Sequence, residues 1–281
     1  GGIIGTGEGQ ISSPIENVTY ENGSISGAGG ALFNNTSGSE IKNSKLNSNK
    51  GSLGGALYNA YSITIENSEF NNNISASGGG AIYSSPVKNT GAGVKLETVT
   101  FSQNTASKGQ GGAIYIADGG QFISNNSIFD SNEAKSGSGG AIYLGVGARA
   151  TFEYNTFTDN KASDKGGAIC IDNNSTVTIT NESSGFQHNS AKYGGAIYLG
   201  KSATLTLNDV SFINNSASEK GGALYLAQGS TAEIVSREAD VLIEGNTAKN
   251  KSNAIYLDNA TLILTTIDST KHKIIINDLI K

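Results

Sequence analysis

Residues 129–143 read Phe129-Asp130-Ser131-Asn132-Glu133-Ala134-Lys135-Ser136-Gly137-Ser138-Gly139-Gly140-Ala141-Ile142-Tyr143. Two short signatures sit in this stretch, Phe-x-x-Asn and Gly-Gly-Ala-Ile/Leu-aromatic, and both return down the chain in alternation. The first occurs as Phe70/Asn73, Phe101/Asn104, Phe129/Asn132, Phe157/Asn160, Phe186/Asn189 and Phe212/Asn215, with aliphatic versions at Leu46/Asn49 and Ile243/Asn246. The second begins at Gly29, Gly54, Gly79, Gly111, Gly139, Gly166, Gly194 and Gly221, with worn copies at Gly1 and Ser252. Successive starts give ten units of about 28 residues, and a period of that size marks a stacked repeat. The step from Phe to the next Gly-Gly stays at 8 to 10 residues, whereas the step from Gly-Gly to Phe runs from 16 to 22. Insertions are therefore expected on the second arm alone.

Each unit carries strand signals and no helix signals. Thr176-Val177-Thr178-Ile179-Thr180 and Ala203-Thr204-Leu205-Thr206-Leu207 alternate with period two and are rich in β-branched residues. Gly, Asn, Asp and Ser mark the turns between such runs, so a unit reads as three short strands joined by turns. Three strands cannot bury an apolar face by themselves. Stacking the units at about 4.8 Å pairs each backbone with its neighbours, and ten turns make a rod roughly 45–50 Å long. The predicted fold is all-β, a single-stranded parallel β-helix over residues 1–281, with 1–28 as a degenerate first coil and 252–281 as the last. Like residues then lie above one another. Phe70, Phe101, Phe129, Phe157, Phe186 and Phe212 are expected to form an inward stack. Asn73, Asn104, Asn132, Asn160, Asn189 and Asn215 are expected to form an amide ladder that satisfies turn backbone.

Composition agrees and excludes other classes. The 281 residues include 38 Gly and 31 Asn, about a quarter of the chain, and only 15 % are charged. With 19 Lys+Arg against 24 Asp+Glu there is no overall basic field for nucleic acid. A single Cys excludes an internal disulfide framework. No apolar run approaches the ~20 residues of a membrane-spanning helix, so no direct membrane insertion is expected.

The paired tetrapeptides resemble the passenger repeats of the polymorphic membrane proteins, the chlamydial-type autotransporters, over essentially the whole chain. That resemblance implies a right-handed β-helix displayed on the outer face of the bacterial outer membrane, or secreted, and used in adhesion to host cells. It further implies a partner that is a host receptor or glycan, or another copy, and an anchoring outer-membrane barrel in the full-length protein. The last apolar strand, Lys273 to Asn277, has no polar capping unit and reads as an interrupted passenger.

No cofactor, metal or catalytic residue is expected. Gly195-Ala196-Ile197-Tyr198-Leu199-Gly200-Lys201-Ser202 fits the phosphate-loop pattern, but it lies on a repeat strand with a second strand after it, where a phosphate loop needs a helix. Parallel β-helices also host polysaccharide lyases and hydrolases, the alternative reading, and a purely structural stalk is the third. An enzyme of that type would need stacked acids with Arg, Lys or His beside them. The chain has only Arg149, Arg237, His188 and His272, and no two adjacent units align carboxylates within Phe-x-x-Asn. Two places are candidates for recognition. One is a basic edge on the arm before Gly-Gly, with Lys108, Lys135, Lys165, Lys192 and Lys220. The other is a pair of inserted loops, 84–96 with Pro86, Lys88 and Asn89, and 228–241 with Glu233, Arg237 and Glu238. Both loops lie on the variable arm and are expected to emerge from one side of the rod.

Overall fold

The turn that contains the quoted stretch shows how the chain is wound. Ile142–Leu144 is a strand, Arg149–Glu153 a longer one, Thr156–Thr158 a third and Lys161–Ala162 a fourth, before Gly166-Gly167 begins the next turn. Each strand pairs in parallel with its counterpart one turn away, as when Phe129 faces Phe157 and Phe157 faces Phe186. In this computed structural model, which describes residues 14–85, 93–181 and 185–281, the result is a parallel β-helix with two ten-stranded and two nine-stranded sheets along its sides. We name these the tyrosine, long-strand, phenylalanine and alanine sheets, in chain order around the turn. Four strands per turn replace the expected three. The extra one is the short alanine strand, too brief to produce an alternating pattern. The Gly1 corner lies outside the described residues. Among the described residues all strand pairings are parallel but one, where Thr247–Ala248 meets Lys251–Ser252 antiparallel at the last turn.

The core follows from the stacking. Six phenylalanines from Phe70 to Phe212 are fully buried, with ring centroids 4.7 to 5.2 Å apart and planes within 16°. Leu57, Ile82, Ile114, Ile142, Ile169, Ile197 and Leu224 stack opposite them from the tyrosine sheet. Burying each such side chain contributes about 1.5–3 kcal/mol.

The asparagines close the phenylalanine corner. Asn132 Oδ1 accepts from both the backbone N–H and the Nδ2 of Asn104 at 3.0 Å, and Asn132 Nδ2 donates to Phe101 O and Asn160 Oδ1. The same set repeats through Asn49, Asn73, Asn160, Asn189, Asn215 and Asn246, each fully buried. At its far end Asp278 Oδ2 takes the place of the next amide, accepting from Asn246 N at 2.8 Å. The residue before each ladder Asn lies in the left-handed region: Asn72, Gln103, Ser131, Asp159, His188 and Asn214 all have φ between 54° and 57°. That turn aims the amide inward.

The glycine pairs divide two tasks. The first glycine, as at Gly139, takes φ +70°, while a Cβ on the second, Gly140, would lie 2.0 Å from Gly167 O. The second position therefore demands glycine for space, the first for conformation.

Two outcomes test this account by urea unfolding followed by circular dichroism. Gly147 has φ +69° but open space around it, so Gly147→Ala should lose only about 1–2 kcal/mol, the strain of a left-handed alanine. Gly140→Ala should lose several-fold more or fail to fold. Asn160→Leu should cost more than Asn49→Leu, because Asn49 Oδ1 accepts only Gly23 N from the preceding turn whereas Asn160 satisfies two donors there. Each donor or acceptor stranded in the core costs about 1–3 kcal/mol.

Candidate functional site

Side chains held by the ladders are committed to the fold, so candidates must lie outside them. The inserted loops divide. Pro86, Lys88 and Asn89 lie outside the described residues; their segment joins Ile82–Ser84 of the tyrosine sheet to Gly93–Glu97 of the long-strand sheet. Glu233 is not in a loop. It sits within strand Thr231–Ser236, in register with Thr206 and Ile263, and accepts a hydrogen bond from Thr265 Oγ1 at 3.0 Å. Only the residues around Arg237 and Glu238 are additional, in a bend before Val241–Glu244. The buried Asp209 carboxylate organises that bend by accepting from the N–H groups of Arg237, Glu238 and Ala239. The Arg237 bend joins the long-strand sheet to the phenylalanine sheet, whereas residues 86–92, outside the described residues, connect the tyrosine sheet to the long-strand sheet. The expectation of a shared side treats the variable arm as one corner, and that arm contains two.

The lysine edge is partly engaged by its own neighbours. Lys165 lies 4.8 Å from the centre of the Tyr198 ring, Lys192 5.3 Å from Tyr193, and Lys220 4.2 Å from Tyr256, whose Oη accepts from Lys220 Nζ at 2.8 Å. Nearby, Lys161 pairs with Glu133 and Lys249 with Glu219. Lys108 and Lys135 are exposed and enter none of these contacts.

The tyrosines form a second, outward-facing stack. Tyr58, Tyr83, Tyr115 and Tyr143 follow at 4.5 to 5.6 Å, and Tyr198, Tyr225 and Tyr256 continue at 5.1 to 5.3 Å beyond Cys170. Burial, aided by the neighbouring Tyr83 and Asp118, pushes the Tyr115 phenol up to about 12. Burial with the nearby Cys170 and Asp172 does the same for Tyr198, again to about 12. Tyr143 is raised further by burial and by its 2.5 Å bond to Asp172. Burial also pushes the Cys170 thiol well up, and its side chain is only 3 % exposed.

A groove of about 440 Å³ opens at the corner between the alanine and tyrosine sheets. Tyr83, Lys108, Gln110, Tyr115, Ser136 and Asp164 line it. Lys108, Gln110 and Ser136 come from the two longest arms of their kind. The Phe-to-Gly-Gly step is ten residues at Phe101–Gly111 and Phe129–Gly139, and eight or nine elsewhere. In those turns, as in the next one at Lys161–Ala162, the alanine strand has only two residues, Thr105–Ala106 and Glu133–Ala134, and the residues after it turn or bend before the glycine corner. Its floor is bare backbone, since a Cβ on Gly137 would lie 2.2 Å from Gly109 O. The signal was this one-residue excess, smaller than the variation on the other arm and overshadowed by it.

A second hollow of about 220 Å³ lies on the long-strand sheet beside Ile123 and Arg149, with threonines below. Among the described residues, no three His, Cys, Asp or Glu side chains are grouped to hold a metal ion. His188 is exposed at its left-handed corner, with Asn214 Nδ2 3.5 Å from its Nε2. Ile197–Leu199 and Thr204–Asn208 are successive strands, so the phosphate-loop look-alike has no helix N-terminus for a phosphate.

Two measurements follow. The phenols bind their protons more firmly in the folded state than in the unfolded chain, whose tyrosines ionise near pH 10. Above that pH the unfolded state holds fewer protons, so stability should be full below pH 10 and fall steadily towards pH 12, read as urea midpoints across that range. Cys170 should resist a disulfide reagent at pH 8 in the folded protein and react promptly in denaturant.

The family model for a right handed beta helix region matches residues 3–137 and 129–277. No curated protein and no solved structure matches the chain. The strand order around the turn, the four parallel sheets and this match together place the chain in the right-handed β-helix family, as a solenoid of about nine turns with about 28 residues each.

Proposed function

We propose that this chain is a segment of a bacterial surface-displayed adhesin, a rod whose sides attach to a host-cell protein or glycan. The observation that carries the reading is the division of labour around each turn. Phenylalanines, ladder asparagines and corner glycines are spent inside, while outward positions on the phenylalanine strands vary from turn to turn, as at Asn71, Ser102, Asp130, Thr158, Gln187 and Ile213. A scaffold that fixes its core and frees its lateral face suits recognition along its length. The paired tetrapeptides, which resemble those of autotransporter passengers, support display outside the outer membrane, with a barrel elsewhere in the full-length protein as anchor. Self-association through the same lateral face is the other partner this surface admits.

The test is binding of the purified segment to host cells, with and without prior glycosidase treatment of those cells. Saturable binding is expected. Charge reversal at Lys135, Lys165 and Lys192 together should weaken it if the basic edge takes part, and shortening the Arg237–Ala239 bend should weaken it if that corner does. No binding to any cell type would favour a stalk, and turnover in a polysaccharide panel would favour an enzyme.

A further inference from the structure

We propose that the groove at the bent corner beside Tyr83, Lys108, Gln110 and Tyr115 is a glycan subsite that takes an oligosaccharide carrying a carboxylate. The proposal rests on the attachment reading above and names its ligand.

The groove's chemistry selects a polyol. Each sugar hydroxyl both donates and accepts, so its site must offer both functions at short intervals. Here the Tyr83 and Tyr115 phenols and the Ser136 hydroxyl can do either, Lys108 donates and the Asp164 carboxylate accepts. A lipid would need an apolar lining, which these residues do not provide. A phosphate would draw on arginine or several cations, and the groove has Lys108 as its one lysine and no arginine. At about 440 Å³ the groove falls within the range of small-molecule sites, roughly 300–1,000 Å³. Its lining runs from Tyr83 through Tyr115 and Ser136 to Asp164, almost three turns of chain, so it extends along the rod for about 14 Å at ~4.8 Å per turn. An extended chain laid along the axis would meet comparable groups at each step.

Two further observations bear on a ligand. Gln110 Oε1 is sealed from solvent and has no hydrogen-bond donor. A stranded amide oxygen is unfavourable, and turning the amide towards a sugar hydroxyl would relieve that without breaking any bond of the oxygen. Lys108 stands beside it, exposed and free of the ring contacts and ion pairs that occupy Lys161, Lys165, Lys192, Lys220 and Lys249. A free ammonium near an unpaired amide places the carboxylate of the glycan at the Lys108 end, with hydroxyls towards Gln110 and Asp164.

The experiment is calorimetric titration of the whole segment with sialyllactose and with trigalacturonate, using lactose and maltotriose as neutral counterparts. Acidic sugars should bind more tightly than neutral ones. Lys108→Ala should weaken the acidic ligands about tenfold and the neutral ones by no more than about twofold, since a hydrogen bond to a charged group is the stronger kind. Gln110→Leu should weaken both classes. Ser136→Trp, at an exposed position, should fill the groove and abolish binding while the circular dichroism spectrum and melting temperature stay those of the parent. Absence of binding by the parent, or binding that Ser136→Trp leaves intact, overturns the subsite whatever the cell assay shows. Glycan binding in a segment that attaches to no cell would instead overturn the attachment reading and leave the subsite standing.

Discussion

Every turn of this protein is completed by its neighbour, and the asparagine ladder shows the constraint most sharply. An amide at the phenylalanine corner satisfies backbone and side chain of the turn before it while being satisfied by the turn after it. No other neutral side chain of this length presents one oxygen that accepts two bonds and one nitrogen that donates two. The left-handed residue before it is part of the same device, because only that backbone turn brings the amide inside. The interior is thereby ordered in one dimension. Each turn sees only its two neighbours, and stability accrues by repetition.

The outer stack follows from the inner one. Once the tyrosine-sheet strands are in register, their outward aromatics must lie one above another at the turn spacing, exposed enough to meet water and close enough to shield each other. The acids and lysines arrange themselves around this column. Asp172 and Asp258 accept from phenols of the preceding turn, and Lys165 and Lys220 lie over rings of the following one. A cation over a ring contributes about 0.5–1 kcal/mol at an exposed site, so these lysines are explained by the column before any partner is invoked. Cys170 interrupts the column without breaking the sheet, since its backbone still pairs with Tyr143 and Tyr198.

How much of this could be read from residues alone depended on whether a feature repeats. The Phe and Asn columns, the glycine corners and the parallel stacking all announce themselves through period and spacing, because each turn needs the same residue at the same place. The alanine strand did not announce itself. With two residues, as in Glu133–Ala134, it has no alternation to detect. The left-handed column was present in the letters Asn72, Asp159, Asn214 and Gly245, but Gln103 and His188 disguise it. The placement of Glu233 was misread because the long strand of its turn runs to Ser236, absorbing residues that counting assigns to a loop. The groove escaped for the opposite reason, since its excess is a single residue on the arm that looks constant.

That asymmetry bears on where a solenoid can acquire function. An insertion between the long-strand and phenylalanine sheets can be absorbed by one buried carboxylate, as Asp209 absorbs the Arg237 bend, and leaves the neighbouring turns in register. An added residue before Gly-Gly is harder to accommodate, because the glycine corner permits no displacement: Gly112 stands directly against Gly140, and Gly140 against Gly167. The excess must bend outward, and when two adjacent turns share it the bends line up into a groove instead of two isolated bumps. Regular stacking thus lines up such bends into a continuous concave feature, built on the glycine corner. Such a feature combines an invariant floor of backbone with walls whose side chains no ladder claims, and Lys108, Gln110 and Ser136 are walls of that kind.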